Sequence, residues 1–292
     1  EDAKAVRQIK KKIKIPIVCD IHFNYALALE AIKNGADKIR LNPGNIRKRD
    51  EIIQVLCAAK KAKIPIRVGL NSGSISTDMV RSALGYIKLF EQNDFHDIII
   101  SLKASDVVTT IEAYRRMAEI SAYPLHLGVT ASGSYDQGVV KSAIGIGALL
   151  LDGIGDTIRV SLTADPIEEV IAAKRILSAV GLRRFGPEVI SCPTCGRCQV
   201  DLSAVVRELE SKLHITQYTL HKSPFKIAVM GCEVNGPGEA KEADVGIAFG
   251  KGSGMLFKRG KTIKKVLVKD AVKELLAAIR NTQNAGRDYE MD

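Results

Sequence analysis

Tryptophan is absent from this 292-residue sequence, and aromatic residues of every kind make up only 5% of it. So few stacking platforms, with no helix-turn-helix or zinc-finger spacing, weigh against a nucleic-acid binder. The formal net charge of +10 is scattered over many helix-like segments instead of one tract, so a basic pocket for a small phosphorylated substrate accounts for it as well. No run is long and apolar enough for a membrane span, and no secretory segment opens the sequence. A reducing, cytoplasmic setting is the expectation, with any plastid address lying ahead of residue 1. The six cysteines are then expected to serve a metal or catalysis instead of disulfides. No internal repeat or low-complexity tract occurs, and no glycine-rich dinucleotide fingerprint follows a strand-like run, which disfavours a doubly wound sheet.

What is present up to about residue 186 is an alternation of short β-branched runs and amphipathic segments. The runs at 15–20, 38–41, 66–70, 97–103, 125–130 and 157–162 predict strands. Helices are expected at 25–34, 49–62, 77–93, 105–121, 139–150 and 167–180, with the opening EDAKAVRQIKKK as a further helix. Such alternation requires parallel strands covered by helices and predicts an α/β, TIM-like barrel. Only six strands are visible where a closed barrel needs eight, so about two N-terminal βα units are expected to be missing. Residues 187–292 read as a small α+β domain, with strands in EVISC, 226–230, 244–249 and 263–268. Its helices are expected at 202–213 and, capped by Asp270, at 270–281; GKGSG at 250–254 reads as a mobile turn.

Two groups of residues carry chemistry. In the second domain, Cys192, Cys195 and Cys198 lie in SCPTCGRC and Cys232 follows in MGCEVNGPGEA. Thiolates three residues apart on Pro- and Gly-punctuated turns suit a soft metal or an iron–sulfur cluster, and a four-thiolate zinc site satisfies the same spacing. Cys19 and Cys57 read as small core residues. In the first domain, polar residues at strand C-termini face the expected barrel mouth: Asp20 and His22, Arg40 and Asn42, Arg67 and Asn71, Lys103, Thr130, then Arg159 and Ser161. Arg40, Arg67, Lys103 and Arg159 on one rim suit a multiply charged anion, since guanidinium forks match phosphate oxygens. His126 reads as core or loop.

The strings DIHFNYALAL, RLNPGNI, IPIRVGLNSGS, SLKASD, PLHLGVT, KSAIGIG, GIGDTIRVSLTADP, SCPTCGR and GCEVNGPGEA, in this order, closely resemble the 4-hydroxy-3-methylbut-2-enyl diphosphate synthase family. The resemblance implies a barrel (1–186) that binds substrate and a [4Fe–4S] domain (187–292). It implies reductive conversion of 2-C-methyl-D-erythritol 2,4-cyclodiphosphate to a linear allylic diphosphate, with electrons from ferredoxin or flavodoxin, in a homodimer. Cluster ligands carried over are Cys192, Cys195, Cys232 and Glu239, with Asn235 approaching the substrate and Glu239 acting beside it. The diphosphate would lie on Arg40, Arg67, Lys103, Arg159 and Ser161, while Asp20, His22, Asn42 and Asn71 shape the pocket.

The sequence departs from the family pattern at two positions. Ala131 stands after HLGVT, where the family has a glutamate expected to protonate the departing hydroxyl; a methyl group cannot, so slow or absent turnover is expected unless Asp136 substitutes. Cys198 is not required by the family and reads as a bystander. The competing functions are a zinc-stabilised, basic RNA-binding protein and a catalytically inactive relative.

Overall fold

A computed structural model of the chain describes residues 1–42, 44–46, 48–74, 78–216, 225–234, 238, 240–241 and 243–287. The chain folds as two compact units, Glu1–Arg183 and Arg184–Asp292.

In the first unit helix α1 (Asp2–Lys12) precedes six βα repeats. These comprise β1 (Val18–Ile21), α2 (Tyr25–Lys33), β2 (Lys38–Leu41), α3 (Arg49–Ala62), β3 (Ile66–Asn71) and α4 (Met79–Glu91). They continue through β4 (Ile98–Lys103), α5 (Val107–Ile120), β5 (His126–Leu127), α6 (Tyr135–Leu151), β6 (Thr157–Ile158) and α7 (Pro166–Ala179). Several helices start where a short polar side chain caps the first turn. Asn24, Asp78, Asp106 and Asp165 each accept a backbone N–H, and Pro166 opens α7 where no donor is needed.

Strands β1 to β4 form one parallel sheet in sequence order, and β5 pairs with β6 in parallel. A bridge from Ile100 to Leu125 links the two sheets. Both β5 and β6 are shorter than their β-branched runs suggest. Beyond them the ladder gives way to single bonds, from Arg159 N–H to Leu127 C=O and from Thr130 N–H to Ala104 C=O. The period-two alternation divides each strand's faces. Ile39 and Leu41, then Ile66, Val68 and Leu70, then Ile98, Ile100 and Leu102 are buried in one apolar core with α2 to α7. Lys38 and Arg40, Arg67 and Asn71, Ser101 and Lys103 take the opposite face.

The second unit is a five-stranded sheet in the order β11-β10-β9-β8-β7. Its elements are β7 (Glu188–Ser191), α8 (Leu202–Thr216), β8 (Lys226–Met230), β9 (Val245–Gly250), β10 (Ser253–Lys258), β11 (Lys261–Leu267) and α9 (Ala271–Arg287). The β7–β8 and β8–β9 pairs are parallel, and the other two antiparallel. Leu202, Leu209, Leu213, Leu275 and Ile279 of the two helices cover one face of the sheet. Three sequence expectations need correction. GKGSG is the turn of the β9–β10 hairpin and the start of β10, a strand hidden by the glycines at its entry. Asp270 closes a 3₁₀ turn (Val268–Asp270), and α9 begins after it. Cys57 is exposed, because the buried stripe of α3 runs through Ile52, Val55, Leu56 and Ala59.

Tyr114 of α5 ties β4 to β5: its hydroxyl accepts the Leu102 N–H at 3.0 Å and donates to the His126 carbonyl at 2.5 Å. The ring is fully buried, and burial pushes the phenol up to about 12. Tyr114→Phe strands both backbone groups and should cost about 1–3 kcal/mol. Urea unfolding followed by circular dichroism measures this, and an unchanged midpoint would remove the hydroxyl from the account of how these strands are held.

Candidate anion site and cysteine turns

Register places the basic residues on one face of the first unit's sheet. Asp20 on β1 stands opposite Arg40 on β2, and Arg40 opposite Arg67 on β3. Lys103 ends β4 opposite Asn71, the last residue of β3, so it stands further toward the strand C-termini than the Arg40–Arg67 layer. Arg40 is buried; it donates to Asp20 Oδ1 at 2.8 Å and to the Gly69 carbonyl at 3.1 Å. Arg159 follows β6 with a half-exposed side chain, 3.9 Å from the Glu169 carboxylate. Burial and the Arg40 charge hold the Arg67 guanidinium below its usual range.

Lys103 is nearly as buried as Arg40, at 9% exposed, and faces Arg159, Arg67 and Arg40, with Asp20 as the opposing charge. Burial, followed by those guanidiniums, pulls the ammonium down to about 7. His126 on β5 is also buried; Nδ1 lies 2.9 Å from Thr157 Oγ1, and Nε2 has no hydrogen-bond partner among the described residues. A dianion entering this face would meet several donors at once and relieve their mutual repulsion.

Around this face, Asn42 is buried and its Oδ1 accepts the Gly44 N–H at 3.0 Å. His22 is exposed, with Nε2 3.4 Å from Asp20 and Nδ1 3.0 Å from Asn45 Nδ2. The Ser161 carbonyl accepts from the Ser132 hydroxyl. Ala131 sits at φ 48°, exposed, with no group able to donate a proton. Asp136 occupies the first turn of α6 and is exposed, so the inward-folding loop that would bring it to the site is not the arrangement seen.

In the second unit the two cysteine turns leave the same end of two adjacent parallel strands. Cys192 follows β7 and Cys232 follows β8, whose ends are in register at Ser191 and Val229. Cys192 Sγ accepts the Gly231 N–H at 3.2 Å, and Cys198 Sγ donates to the Val200 carbonyl at the same distance. Cys232 is buried and Cys195 exposed; the Arg197 backbone N–H, then its side chain, hold the Cys195 thiol below its usual range. None of the cysteines is in a disulfide. Among the described residues no three His, Cys, Asp or Glu side chains are grouped closely enough to hold a metal. Asn235 and Glu239 lie outside the described residues. The thiols, one with an N–H donated to sulfur and another biased toward thiolate, fit an iron–sulfur cluster in donor type.

Two family models cover the chain: the GcpE TIM-barrel domain over residues 1–174 and the GcpE protein C-terminal domain over residues 188–281. The chain belongs to the GcpE family. Its relatives include three proteins named 4-hydroxy-3-methylbut-2-en-1-yl diphosphate synthase (flavodoxin). That of Fusobacterium nucleatum is 53% identical over 94% of this chain and 79% of its own length. That of Thermodesulfovibrio yellowstonii is 53% identical over 95% and 82%. That of Bacillus subtilis is 52% identical over 94% and 74%. Among the described residues of this GcpE chain, no helix is long and apolar enough to cross a membrane.

Sequence reasoning left His126 as core or loop. The strand parity that places Lys103 on the polar face also places His126 there through β5, and that was the available signal. Burial, then the Lys103 charge, push its proton uptake down to about 2. An unfolded histidine protonates near 6.5, so the native state's advantage at this residue is complete above that pH and shrinks as pH falls toward the folded value. His126→Asn, which can keep a partner for Thr157, should therefore lose less stability than the parent between about pH 7 and pH 5, by roughly 1 kcal/mol per pH unit. Unfolding midpoints across that range give the comparison; parallel curves for the two proteins would contradict the assignment.

Proposed function

We propose that this chain reductively opens 2-C-methyl-D-erythritol 2,4-cyclodiphosphate to 4-hydroxy-3-methylbut-2-enyl diphosphate, within isoprenoid synthesis. The observation that carries this is identity above 50% along 94% of the chain to diphosphate synthases of that name, on a fold with a cation-lined sheet face. Arg40, Arg67, Lys103, Arg159 and Ser161 hold the diphosphate, and Asp20, His22, Asn42 and Asn71 set the shape of the pocket. Cations at the phosphate oxygens stabilise the negative charge that grows as the ring C–O bond opens. Cys192, Cys195, Cys232 and Glu239 would hold a [4Fe–4S] cluster, which when bound supplies electrons. Asn235 lies between two of these ligands in the sequence, and the family resemblance implies that it approaches the substrate. The names of the relatives support flavodoxin as the electron donor. A homodimer is the assembly the family resemblance implies.

The hydroxyl must leave as water, and residue 131 offers it no proton. This favours slow turnover by an otherwise binding-competent site. Ala131→Glu should raise turnover by about 10²-fold or more with little change in substrate affinity; equal rates would show that position 131 does not serve the proton transfer. Purification without oxygen, followed by iron, sulfide and zinc analysis, tests the cofactor. Cys232→Ser should lose iron and the visible absorption, whereas Cys198→Ser should retain both. A colourless, zinc-loaded parent protein would overturn the proposal in favour of a structural Cys₄ site.

A further inference from the structure

We propose that Gly69 and Gly128 are positioning residues of the anion site, each a slot without a side chain across which a cation from a neighbouring strand is laid, Arg40 over Gly69 and Lys103 over Gly128. This rests on the diphosphate reading of the rim and goes beyond it to the residues that aim the cations. A Cβ on Gly69 would stand 2.3 Å from Arg40 Nε and 3.1 Å from its Cζ and Nη2, while Arg40 Nη2 donates to the Gly69 carbonyl at 3.1 Å. A Cβ on Gly128 would stand 2.8 Å from Lys103 Nζ and 3.0 Å from its Cε, and 2.6 Å from the Arg159 carbonyl oxygen. Neither glycine has the positive φ that would explain its presence by backbone conformation. Gly69 lies inside β3, where glycine costs about 0.5–1 kcal/mol against alanine, and Gly128 directly follows β5 on the same polar face, so both bare positions mark a use for the missing side chain. The slots differ in kind. The three atoms nearest a Cβ at Gly69 all belong to the Arg40 side chain, whereas those nearest a Cβ at Gly128 belong to Lys103 and to the backbone that carries Arg159.

The slots also confine Lys103. Lying across Gly128 it is faced by Arg40 from β2, Arg67 from β3, His126 from β5 and Arg159 beyond β6, with Asp20 on β1 as the opposing carboxylate. An alanine at 128 lifts the ammonium from this recess toward water, where a lysine keeps its proton to higher pH. An alanine at 69 moves the Arg40 fork off the Gly69 carbonyl and leaves Lys103 in place.

The test has a ligand-free arm and a ligand arm, both on the 292-residue chain. Carbon-13 lysine NMR on the unliganded protein should show one amine, absent in Lys103→Met, losing its proton near pH 7. In Gly128→Ala that titration should move up by about one pH unit or more, and in Gly69→Ala, which disturbs only the weakest of the three guanidinium charges acting on Lys103, it should move by much less. Calorimetry with inorganic pyrophosphate should show affinity about tenfold weaker or worse in both variants, and Gly128→Ala should shift the alkaline limb of the binding profile by much more than Gly69→Ala. A merely structural glycine would lower stability without separating the two pH profiles. If Gly128→Ala leaves the Lys103 titration unmoved, or if both variants unfold so that the backbone itself requires the bare residue, the slots are refuted. If the titrations behave as expected but the parent binds no pyrophosphate, the diphosphate reading fails and the slots stand.

Discussion

Arg40, Arg67 and Lys103 share one sheltered face of a parallel sheet with Asp20 as the carboxylate that opposes their charge among the described residues. Like charges held this close, with little water between them, raise one another's free energy. Ordinary features of the first unit keep the arrangement standing. The opposite strand faces carry Ile39, Val68, Ile100 and their neighbours, all at or near zero exposure, so the apolar core pins the backbone from behind. Caps at Asn24, Asp78, Asp106 and Asp165 start four helices cleanly and hold the strand ends between them. The strain of crowded cations is confined to side chains, and an anion of the right shape can release it.

Much of this was legible in sequence because parallel strands and their covering helices leave two periodicities that seldom coincide by chance. The positions of Arg40 and Lys103 near the C-terminal ends of β2 and β4 could be read from the β-branched runs alone, whereas Arg67, expected at a C-terminal end, is the second residue of β3 because that strand runs on to Asn71. Their true register could not: Lys103 stands level with Asn71, beyond the layer shared by Arg40 and Arg67, and only pairing reveals that. The brevity of β5 and β6 was equally hidden, since an apolar run does not say where its neighbour stops offering hydrogen bonds.

Glycines were the least legible residues. The entry to β10 reads as a loop because Gly252 and Gly254 dominate it, although Gly254 pairs across the hairpin with Phe249. Gly69 and Gly128 carry no chemical group at all, and their meaning exists only in what lies across them. Cys57 misled for another reason: cysteine is so often buried that composition alone puts it inside, whereas the helix period puts it outside. In the second unit the cysteine spacing announced a soft-ligand site, and the parallel β7–β8 pairing explains how two turns forty residues apart in the chain share one strand end.

A recess this short of negative charge should not be indifferent to its solvent. Sulfate or phosphate in a storage buffer would settle among the guanidiniums and stabilise the fold by mass action, in proportion to the logarithm of concentration over dissociation constant. Melting temperatures taken in phosphate and in a zwitterionic buffer would then describe two differently occupied proteins. Exchange into a weakly coordinating medium is what reveals the bare cost of keeping those cations together.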